Sequence, residues 1–253
     1  PAHSPTNFAA MTKIWLRVIE SRNVAFNFIP KVMCSSIRSV VSYMECTNKS
    51  KTCAEWRRAK HKLTNARFES MTRVIMLRDP LERAFSAFEN SASNGYITLP
   101  GCYNIRYCSF AEWIDIIYHN TSNFANEYFL PETKVAQLDK VHYHYVLRMS
   151  SAIDRAFLWN DVLNASSTKL NSATKDQSTM VGNMTEGVVQ QLVELYRDDL
   201  KVWSFLSKYG TPKEERTLYD IISAKYPLLF EEFRNVTAPT DPRTWVFPEL
   251  LAS

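Results

Sequence analysis

Arg78 is the residue whose surroundings in the sequence most clearly indicate chemistry. It follows an apolar run from Val74 to Leu77, and Asp79 and Pro80 come directly after it. Asp79 is a favourable helix N-cap and Pro80 a favourable first helical residue, so the segment predicts a buried strand, an abrupt turn and a helix. Arg78 would therefore lie at the carboxyl end of a strand. Ligands bind at this edge of an open α/β sheet, and a guanidinium there suits a phosphate group.

Ser86 lies on the same predicted helix, close to two full turns after Asp79. Its hydroxyl group would therefore lie on the same face of the helix as the first residues of that helix. Glu82 is predicted to accept the reciprocal capping bond from the Asp79 backbone. The alternative to a phosphate site is an ordinary surface arginine at a strand–helix junction.

A second segment repeats the order of strand, loop and helix. A β-prone run at residues 24–29 precedes Pro30, and a helical pattern starts after a short polar loop. A loop that enters a helix offers backbone N–H groups and the positive end of the helix dipole. Two such units, each with a cation, predict a ligand with two separate anionic groups. The side chains of the first loop and helix start that bear on this site are Lys31, Cys34, Ser35, Ser36 and Arg38.

The composition excludes the two commonest nucleotide-binding loops. Only 5 of the 253 residues are glycine, and neither a G-x-G-x-x-G nor a G-x-x-x-x-G-K-[ST] pattern can be drawn. A hydrophobic content of 45% can fill a sizeable core, and the formal net charge is +4. Basic residues crowd between Lys49 and Arg73. They indicate either a solvated helix face or an electrostatic track for an acidic polymer.

The 5 cysteines and the N-glycosylation sequons indicate an oxidising compartment. Cys46 with Cys53 and Cys102 with Cys108 are short-loop pairs that could form disulfides, which leaves Cys34 as a free thiol. No cysteine has zinc spacing with a histidine partner. No run approaches the roughly 18 apolar residues of a membrane span. We expect a lumenal or secreted domain whose membrane anchor, if it has one, lies outside this chain.

The other segments predict scaffold. Ser109 and Glu112 form a capping box ahead of one helix, and a long helix begins at Thr185 and runs to Gly210. Residues 142–147 alternate in polarity, as a strand does, so the two histidines at 142 and 144 share one face. Two hydrogen-bonded or solvent-facing histidines are favoured over a metal pair. These elements predict an α/β fold with a central parallel sheet and flanking helices.

The two loops resemble those of a known family. PKVMCSSIR at residues 30–38 resembles the 5′-phosphosulfate loop, and RDPLERAFSAFEN at residues 78–90 the 3′-phosphate loop, of the Golgi carbohydrate sulfotransferases. The likeness is closest to the branch of chondroitin and dermatan 4-O-sulfotransferases and related algal and invertebrate enzymes. ELYRDDLKVWSFLSKYG at residues 194–210 resembles a late helix of the family. The likeness therefore extends from about residue 24 to residue 210.

The resemblance implies a P-loop-kinase-like sulfotransferase fold and a transferase that uses 3′-phosphoadenosine-5′-phosphosulfate (PAPS). The product would be adenosine 3′,5′-bisphosphate, and by analogy with phosphoryl transfer no metal is demanded where cations surround the leaving group. Lys31 would contact the bridging oxygen and the sulfuryl group. Ser35, Ser36 and Arg38, with N–H groups of the loop around Cys34, would bind the 5′-phosphate. One domain is expected over residues 1–253, with a nucleotide-binding core at about 24–210 and a helical, wrapping extension at 211–253.

At the other end of the donor, the resemblance assigns the 3′-phosphate to Arg78 and Ser86, and places Lys175 in a loop that closes over the nucleotide. NEYFLPE at residues 126–132 resembles the acceptor-side segment, where a histidine that acts as base often occupies the position of Tyr128. Tyr128 is a poor base near neutral pH, because the ordinary pKa of tyrosine is about 10. Glu127 is the preferred base by adjacency, with Glu132 and His119 as alternatives. The first loop also has Ser36 and Ile37 where asparagine and tryptophan are usual in relatives.

The expected function is O-sulfation of a carbohydrate, on an acidic or neutral polysaccharide of the glycosaminoglycan or sulfated-galactan type. The expected location is the Golgi lumen, as the lumenal domain of a type II membrane protein, or another part of the secretory pathway. Nucleic acid is not an expected partner, and contact with a membrane is expected only through an anchor outside the chain. Two alternatives remain open. One is a catalytically weak glycan-binding pseudoenzyme, which the missing histidine at Tyr128 motivates, and the other is a nucleotide-dependent kinase.

Overall fold

The computed structural model describes eight parts of the chain, which belong to two compact units. Unit 1 consists of residues 1–77, 136–170 and 239–253, and unit 2 of residues 78–135 and 171–238. The single domain expected over residues 1–253 stays a prediction. The described residues are 16–32, 36–37, 40–41, 64–94, 108–120, 128–165, 184–210 and 216–235.

The described part of unit 1 contains a four-stranded sheet with the strand order β1-β2-β3-β4. β2, β3 and β4 are parallel, and β1 pairs with β2 in the antiparallel direction. The sheet is therefore mixed, and its three parallel strands end at a common edge. The strands are Leu16–Ile19 (β1), Val24–Asn27 (β2), Thr72–Leu77 (β3) and Tyr145–Arg148 (β4).

Helices account for the remaining regular structure of the described residues. Their ends carry the expected caps in several places; the predicted box of Ser109 and Glu112 is present. The α-helices are Asn65–Glu69 (α1), Pro80–Asn94 (α2), Phe110–His119 (α3), Glu132–Ala136 (α4), Ala152–Phe157 (α5), Glu186–Leu195 (α6), Arg197–Tyr209 (α7), Leu218–Lys225 (α8) and Glu231–Arg234 (α9).

The α/β class predicted from the sequence is confirmed. All of β2 and the last five residues of β3 are buried, as expected for parallel strands covered on both faces. In unit 1 helix α5 packs against β4, and a π-helix at Leu158–Val162 continues it. In the described part of unit 2 the elements are helical, and α2 packs against α3, α7 and α8.

Two predicted element bounds are wrong. β4 begins at Tyr145 rather than at residue 142, because the Nδ1 atom of His144, not a backbone carbonyl, accepts the Arg73 N–H at 2.9 Å. The helix expected from Thr185 to Gly210 is two helices, α6 and α7, with non-helical dihedrals at Tyr196. Tyr196 is fully buried and its hydroxyl donates to the Phe129 carbonyl at 3.1 Å. This contact fixes the break between the two helices.

Candidate functional site

Lys31 lies in a tight turn at residues 29–32, directly after β2 (the Lys31 turn). The Val32 N–H donates to the Ile29 carbonyl oxygen at 3.1 Å, so Pro30 and Lys31 are the two central residues. The φ angle of Lys31 is 70°. A type II turn requires this left-handed conformation at its third position, where glycine or asparagine is usual. A lysine there stores strain of about 1–3 kcal/mol, and strain of this kind clusters at functional sites.

A helical segment follows shortly after the Lys31 turn. Residues 36–37 and 40–41 are helical, and Ile37 and Val41, one turn apart, are both fully buried. Ser36, the first of these described helical residues, is half-buried. The first predicted unit therefore has its expected order of strand, turn and helix. Three of its candidate residues lie outside the described residues: Cys34, Ser35 and Arg38.

The second unit has the local structure that its sequence predicts. β3 ends at Leu77 and α2 begins at Pro80. Between them, one carboxylate oxygen of Asp79 accepts the N–H groups of Leu81 at 2.8 Å and Glu82 at 3.3 Å. Asp79 is therefore the N-cap of α2, and it fixes the direction in which the chain leaves the strand. The turn that it forms with its neighbours at residues 78–80 is called the Arg78 turn below.

A row of three half-buried polar side chains runs from just before α2 into the helix. Arg78, Glu82 and Ser86 are spaced by four residues, which is about one helical turn. The Nε atom of Arg78 lies 3.4 Å from a carboxylate oxygen of Glu82, so the arginine side chain extends along the helix in the direction of Ser86. The row combines a guanidinium with a hydroxyl group, which are two donors suited to a phosphate.

Glu82 is the member of this row that opposes anion binding. Its negative charge is shared, because its second carboxylate oxygen accepts the Leu218 N–H at the start of α8 at 3.4 Å. The positive end of a helix dipole stabilises a carboxylate placed there. Arg78 is therefore oriented by Glu82 while part of the carboxylate charge is offset elsewhere.

Comparison with known proteins assigns this arrangement to a family. A model of the sulfotransferase family matches residues 16–206, well over half of the chain. The chain belongs to the sulfotransferase family. The Lys31 and Arg78 turns and Ser86 all lie within the matched residues. Members of this family generally use PAPS as donor. Neither a curated protein nor a solved structure matches the chain.

The described candidate residues of the sulfotransferase are divided between the two units. Unit 1 contains Lys31 and Ser36, whereas unit 2 contains Arg78, Ser86 and Tyr128. Within unit 2, Arg78 directly precedes the N-cap of α2, and Ser86 lies on that helix. Two further candidates lie outside the described residues: Glu127 and Lys175.

Tyr128 precedes a firmly held segment of the sulfotransferase. The next residue, Phe129, is fully buried, and its ring packs edge-on against Trp113 at a centroid distance of 5.0 Å. Its carbonyl accepts the Tyr196 hydroxyl. Tyr128 itself is half-buried. The candidate acceptor segment is thus anchored immediately beyond Tyr128. His119, an alternative base, is exposed and its Nε2 atom lies 3.3 Å from an Asp115 carboxylate oxygen.

A buried ionic network in unit 2, which was not predicted from the sequence, surrounds the first turn of α2. Arg83 is fully buried; its Nε atom lies 3.6 Å from Glu132, and its Nη1 group donates to the Leu130 carbonyl at 2.8 Å. Both oxygens of Glu132 accept the Arg78 N–H at 3.3 Å. Asp199 in turn accepts the N–H of Glu132 at 2.6 Å, which caps α4. The network holds the backbone of the Arg78 turn.

This network decides the role of Glu132. Burial raises the pKa of Glu132 well above its ordinary value, and the nearby Arg83 guanidinium opposes this effect only in part. Its carboxylate oxygens are occupied by contacts to Arg83 and to the Arg78 backbone. Glu132 is a structural carboxylate of the interior, and we do not assign it the role of catalytic base.

The two histidines, His142 and His144, directly precede β4. Their ring centroids are 5.3 Å apart, and His144 accepts a backbone hydrogen bond. Desolvation lowers the pKa of His144, and the charges of Arg73 and His142 add to this effect. Among the described residues no group of three or more metal-ligating side chains occurs.

Of the four cysteines that the sequence predicts to pair, the structure describes one. Cys108 is disulfide-bonded, but Cys46, Cys53 and Cys102 lie outside the described residues, so the two pairings stay predictions. Every helix in the described parts of the chain is too short or too polar to cross a membrane.

Asp79 gives the sulfotransferase an expected pH dependence of stability. Burial, with a smaller effect of Glu82, raises the pKa of Asp79 to about 7, against about 3.9 in an unfolded chain. The contribution of protonated Asp79 to the free energy of unfolding is therefore complete below about pH 4 and is lost as the pH rises to 7. Between these limits we expect the free energy of unfolding of the wild type to fall, relative to Asp79→Asn, by up to about 1.4 kcal/mol per pH unit. Urea unfolding of both proteins at several pH values measures this difference, and a relative rise with pH would contradict it.

Proposed function

We propose that this sulfotransferase transfers the sulfuryl group of PAPS to a hydroxyl group of a carbohydrate polymer. The observation that carries the proposal is the Arg78 turn: a half-buried guanidinium at the end of β3, continued by the N-capped helix that bears Ser86. A 3′-phosphate is the group that distinguishes PAPS from the common adenine nucleotides. A guanidinium just before the N-cap of a helix, with a hydroxyl group on that helix, is suited to recognise it.

PAPS, when bound, supplies an activated sulfuryl group attached to a good leaving oxygen. The side chains of the chain would bind it at both ends. Arg78 and Ser86 are proposed to bind the 3′-phosphate, and Lys175 to close over the nucleotide. At the other end, the 5′-phosphate is proposed to bind the N–H groups and side chains of the first loop, namely Cys34, Ser35, Ser36 and Arg38.

Lys31 is proposed to stabilise the negative charge that grows on the leaving oxygen during transfer. An ammonium group placed there favours the transition state over the ground state, which is the condition for catalysis. The left-handed backbone of Lys31 supports this role. Glycine would fit the turn with less strain, so a lysine at this position is explained by what its side chain does.

The acceptor hydroxyl group must lose its proton as it attacks. We propose Glu127 as the base, next to Tyr128, which would orient the acceptor sugar. Removal of the Glu127 carboxylate in Glu127→Gln is expected to lower kcat by about 10²–10⁴-fold and to leave the melting temperature unchanged. Radiometric rates with saturating PAPS, combined with thermal unfolding, measure both effects.

Glu132→Gln is the matched control for this prediction. Because Glu132 is buried beside Arg83, its substitution is expected to lower the melting temperature. A full transfer rate in Glu127→Gln would remove Glu127 from the mechanism. A loss of both stability and rate in that variant would assign it a structural role instead.

The reaction itself is tested with sulfur-labelled PAPS across a panel of desulfated glycosaminoglycans, sulfated galactans and neutral polysaccharides, followed by disaccharide analysis of the labelled product. We expect label in at least one polysaccharide without added metal. Salt-dependent polysaccharide binding without transfer would instead favour a glycan-binding pseudoenzyme. Stabilisation by ATP with magnesium, but not by adenosine 3′,5′-bisphosphate, would favour a kinase.

We propose that the chain belongs to the chondroitin and dermatan 4-O-sulfotransferase branch of the family, because its two loops resemble those of that branch. A location in the Golgi lumen or elsewhere in the secretory pathway is proposed with it, supported by the sequons at Asn48, Asn120, Asn164, Asn183 and Asn235. Label recovered at a galactosamine 4-hydroxyl group would support this branch, whereas label confined to another position would exclude it.

A further inference from the structure

Helix α8 lies beyond the residues that the family model matches, yet it is built into unit 2. The match ends at residue 206, and α8 spans Leu218–Lys225. Leu218 and Ile222 are buried, as are Phe230 and Phe233 in the segment that follows. The Tyr226 hydroxyl donates to the Met184 carbonyl at 2.8 Å. This segment is therefore an integral part of the unit that carries Arg78.

The amino terminus of α8 contacts two acidic side chains that follow Arg78 in the sequence, Asp79 and Glu82. The Tyr219 N–H donates to Asp79 at 2.6 Å, through the oxygen that does not cap α2. The Leu218 N–H donates to Glu82 at 3.4 Å. Asp79 thus binds the first turns of two helices at once, and Glu82 is shared between α8 and Arg78.

We infer that α8 is a positioning element for recognition of the 3′-phosphate, acting on Arg78 through Asp79 and Glu82. The inference rests on the proposed function, because the phosphate is that of the proposed donor. Without the N–H groups of α8, the whole charge of Glu82 would face Arg78 and would compete with an incoming phosphate. With them, the carboxylate orients the guanidinium and is itself partly neutralised by the helix dipole.

Thr217 controls this contact, because it fixes the first turn of α8. Its N–H and its hydroxyl both donate to Asp220, at 2.8 and 3.0 Å, in a capping box. Thr217 is almost fully buried, and the one proton of its hydroxyl group is shared between the carboxyl groups of Asp220 and Asp79. The residues to which Thr217 hydrogen-bonds here, Asp79 and Asp220, are not among those proposed to bind PAPS. Substitution of Thr217 therefore changes the position of α8 without removing a proposed ligand contact.

The experiment compares the affinities for adenosine 3′,5′-bisphosphate and adenosine 5′-monophosphate, which differ only in the 3′-phosphate. Calorimetric Kd values for the two nucleotides give a ratio that measures recognition of this group. Thr217→Val, which keeps the shape and removes the hydroxyl, is expected to reduce the ratio by about 10-fold, with kcat at saturating PAPS within about 2-fold of wild type. Thr217→Ser keeps the hydroxyl and should preserve the ratio. Arg78→Ala marks the ratio that remains when recognition is lost.

A purely structural role of α8 would weaken both nucleotides equally and leave the ratio unchanged, and this result in Thr217→Val would overturn the inference. If Thr217→Val does not fold, Asp220→Asn weakens the same capping box more mildly and is judged by the same ratio. A wild-type protein that binds both nucleotides equally would remove the proposed donor and the inference together. A discriminating wild type with an unchanged ratio in the variants would overturn the inference alone.

Discussion

Lys31→Gly is expected to lower the rate of sulfuryl transfer by about 10²–10³-fold, the usual cost of removing one group that stabilises transition-state charge. The same substitution should not lower the melting temperature. Glycine adopts the φ of 70° that Lys31 holds without strain, which recovers about 1–3 kcal/mol. It costs about 0.5–1 kcal/mol in backbone entropy. The net change in the free energy of unfolding is therefore near zero or slightly favourable. Initial rates with labelled PAPS and a thermal unfolding curve measure the two quantities.

Two control variants distinguish the effect of the Lys31 charge from the effect of its backbone conformation. Lys31→Ala should lose transfer to the same extent while it retains the strained turn, so its melting temperature should not exceed that of Lys31→Gly. Lys31→Arg keeps a positive charge and should retain more activity than either. A normal rate in Lys31→Gly would remove Lys31 from the mechanism. A large fall in its melting temperature would contradict the left-handed turn.

Arg83→Met is expected to be the most destabilising substitution among those considered. Arg83 is fully buried, and its side chain faces Glu132, with the charge of Asp199 close by. Removing one partner of a buried ion network leaves uncompensated charge, at a cost of about 3–5 kcal/mol. For a chain of this size each kcal/mol shifts the melting temperature by about 2–4 °C. Thermal unfolding should therefore show a fall of roughly 6–20 °C.

Arg197→Met is the matched control in the same unit. Arg197 forms an ion pair with Glu232 at 3.0 Å, but both side chains are well exposed. Exposed pairs contribute about 0–1 kcal/mol, so the melting temperature of this variant should change little. Equal falls in melting temperature for the two substitutions would show that burial does not determine how much the Arg83 network contributes to stability.

The local structure around Arg78 could be predicted because its determinants are adjacent in the sequence. An apolar run, a capping aspartate and a proline at the first helical position specify the end of β3 and the start of α2 without help from distant residues. The spacing of Arg78 and Ser86 then follows from the helical repeat. The same reasoning gave the helix after Ser109, whose capping box is present.

The network of Arg83, Glu132 and Asp199 could not be predicted in this way. Its members are far apart in sequence. A charged residue on a helix is expected to be exposed unless it is known to have a buried partner. From the sequence alone Glu132 is therefore a candidate base, whereas its burial and its contact with Arg83 make it structural. The one sequence signal was Arg83 itself, a charged residue between the apolar positions of α2.

The strained backbone of Lys31 was also beyond sequence reasoning. Pro30 favours the second position of a tight turn, but a lysine next to it gives no sign that it occupies a place suited to glycine. The break at Tyr196 has a similar cause, because the hydrogen bond to the Phe129 carbonyl joins residues from different segments. In both cases the observed backbone conformation differs from the one that the local sequence favours.

Recognition of the 3′-phosphate by Arg78 is tested most directly by calorimetric titration of wild type and Arg78→Ala with adenosine 3′,5′-bisphosphate in the absence of metal. We expect one binding site per chain in the wild type and an affinity about 100-fold weaker in the variant, equal to the loss of about 2.7 kcal/mol from a charged hydrogen-bonded contact. No binding by the folded wild type, or equal affinities in the two proteins, would contradict the assignment of the Arg78 turn to the sulfuryl donor.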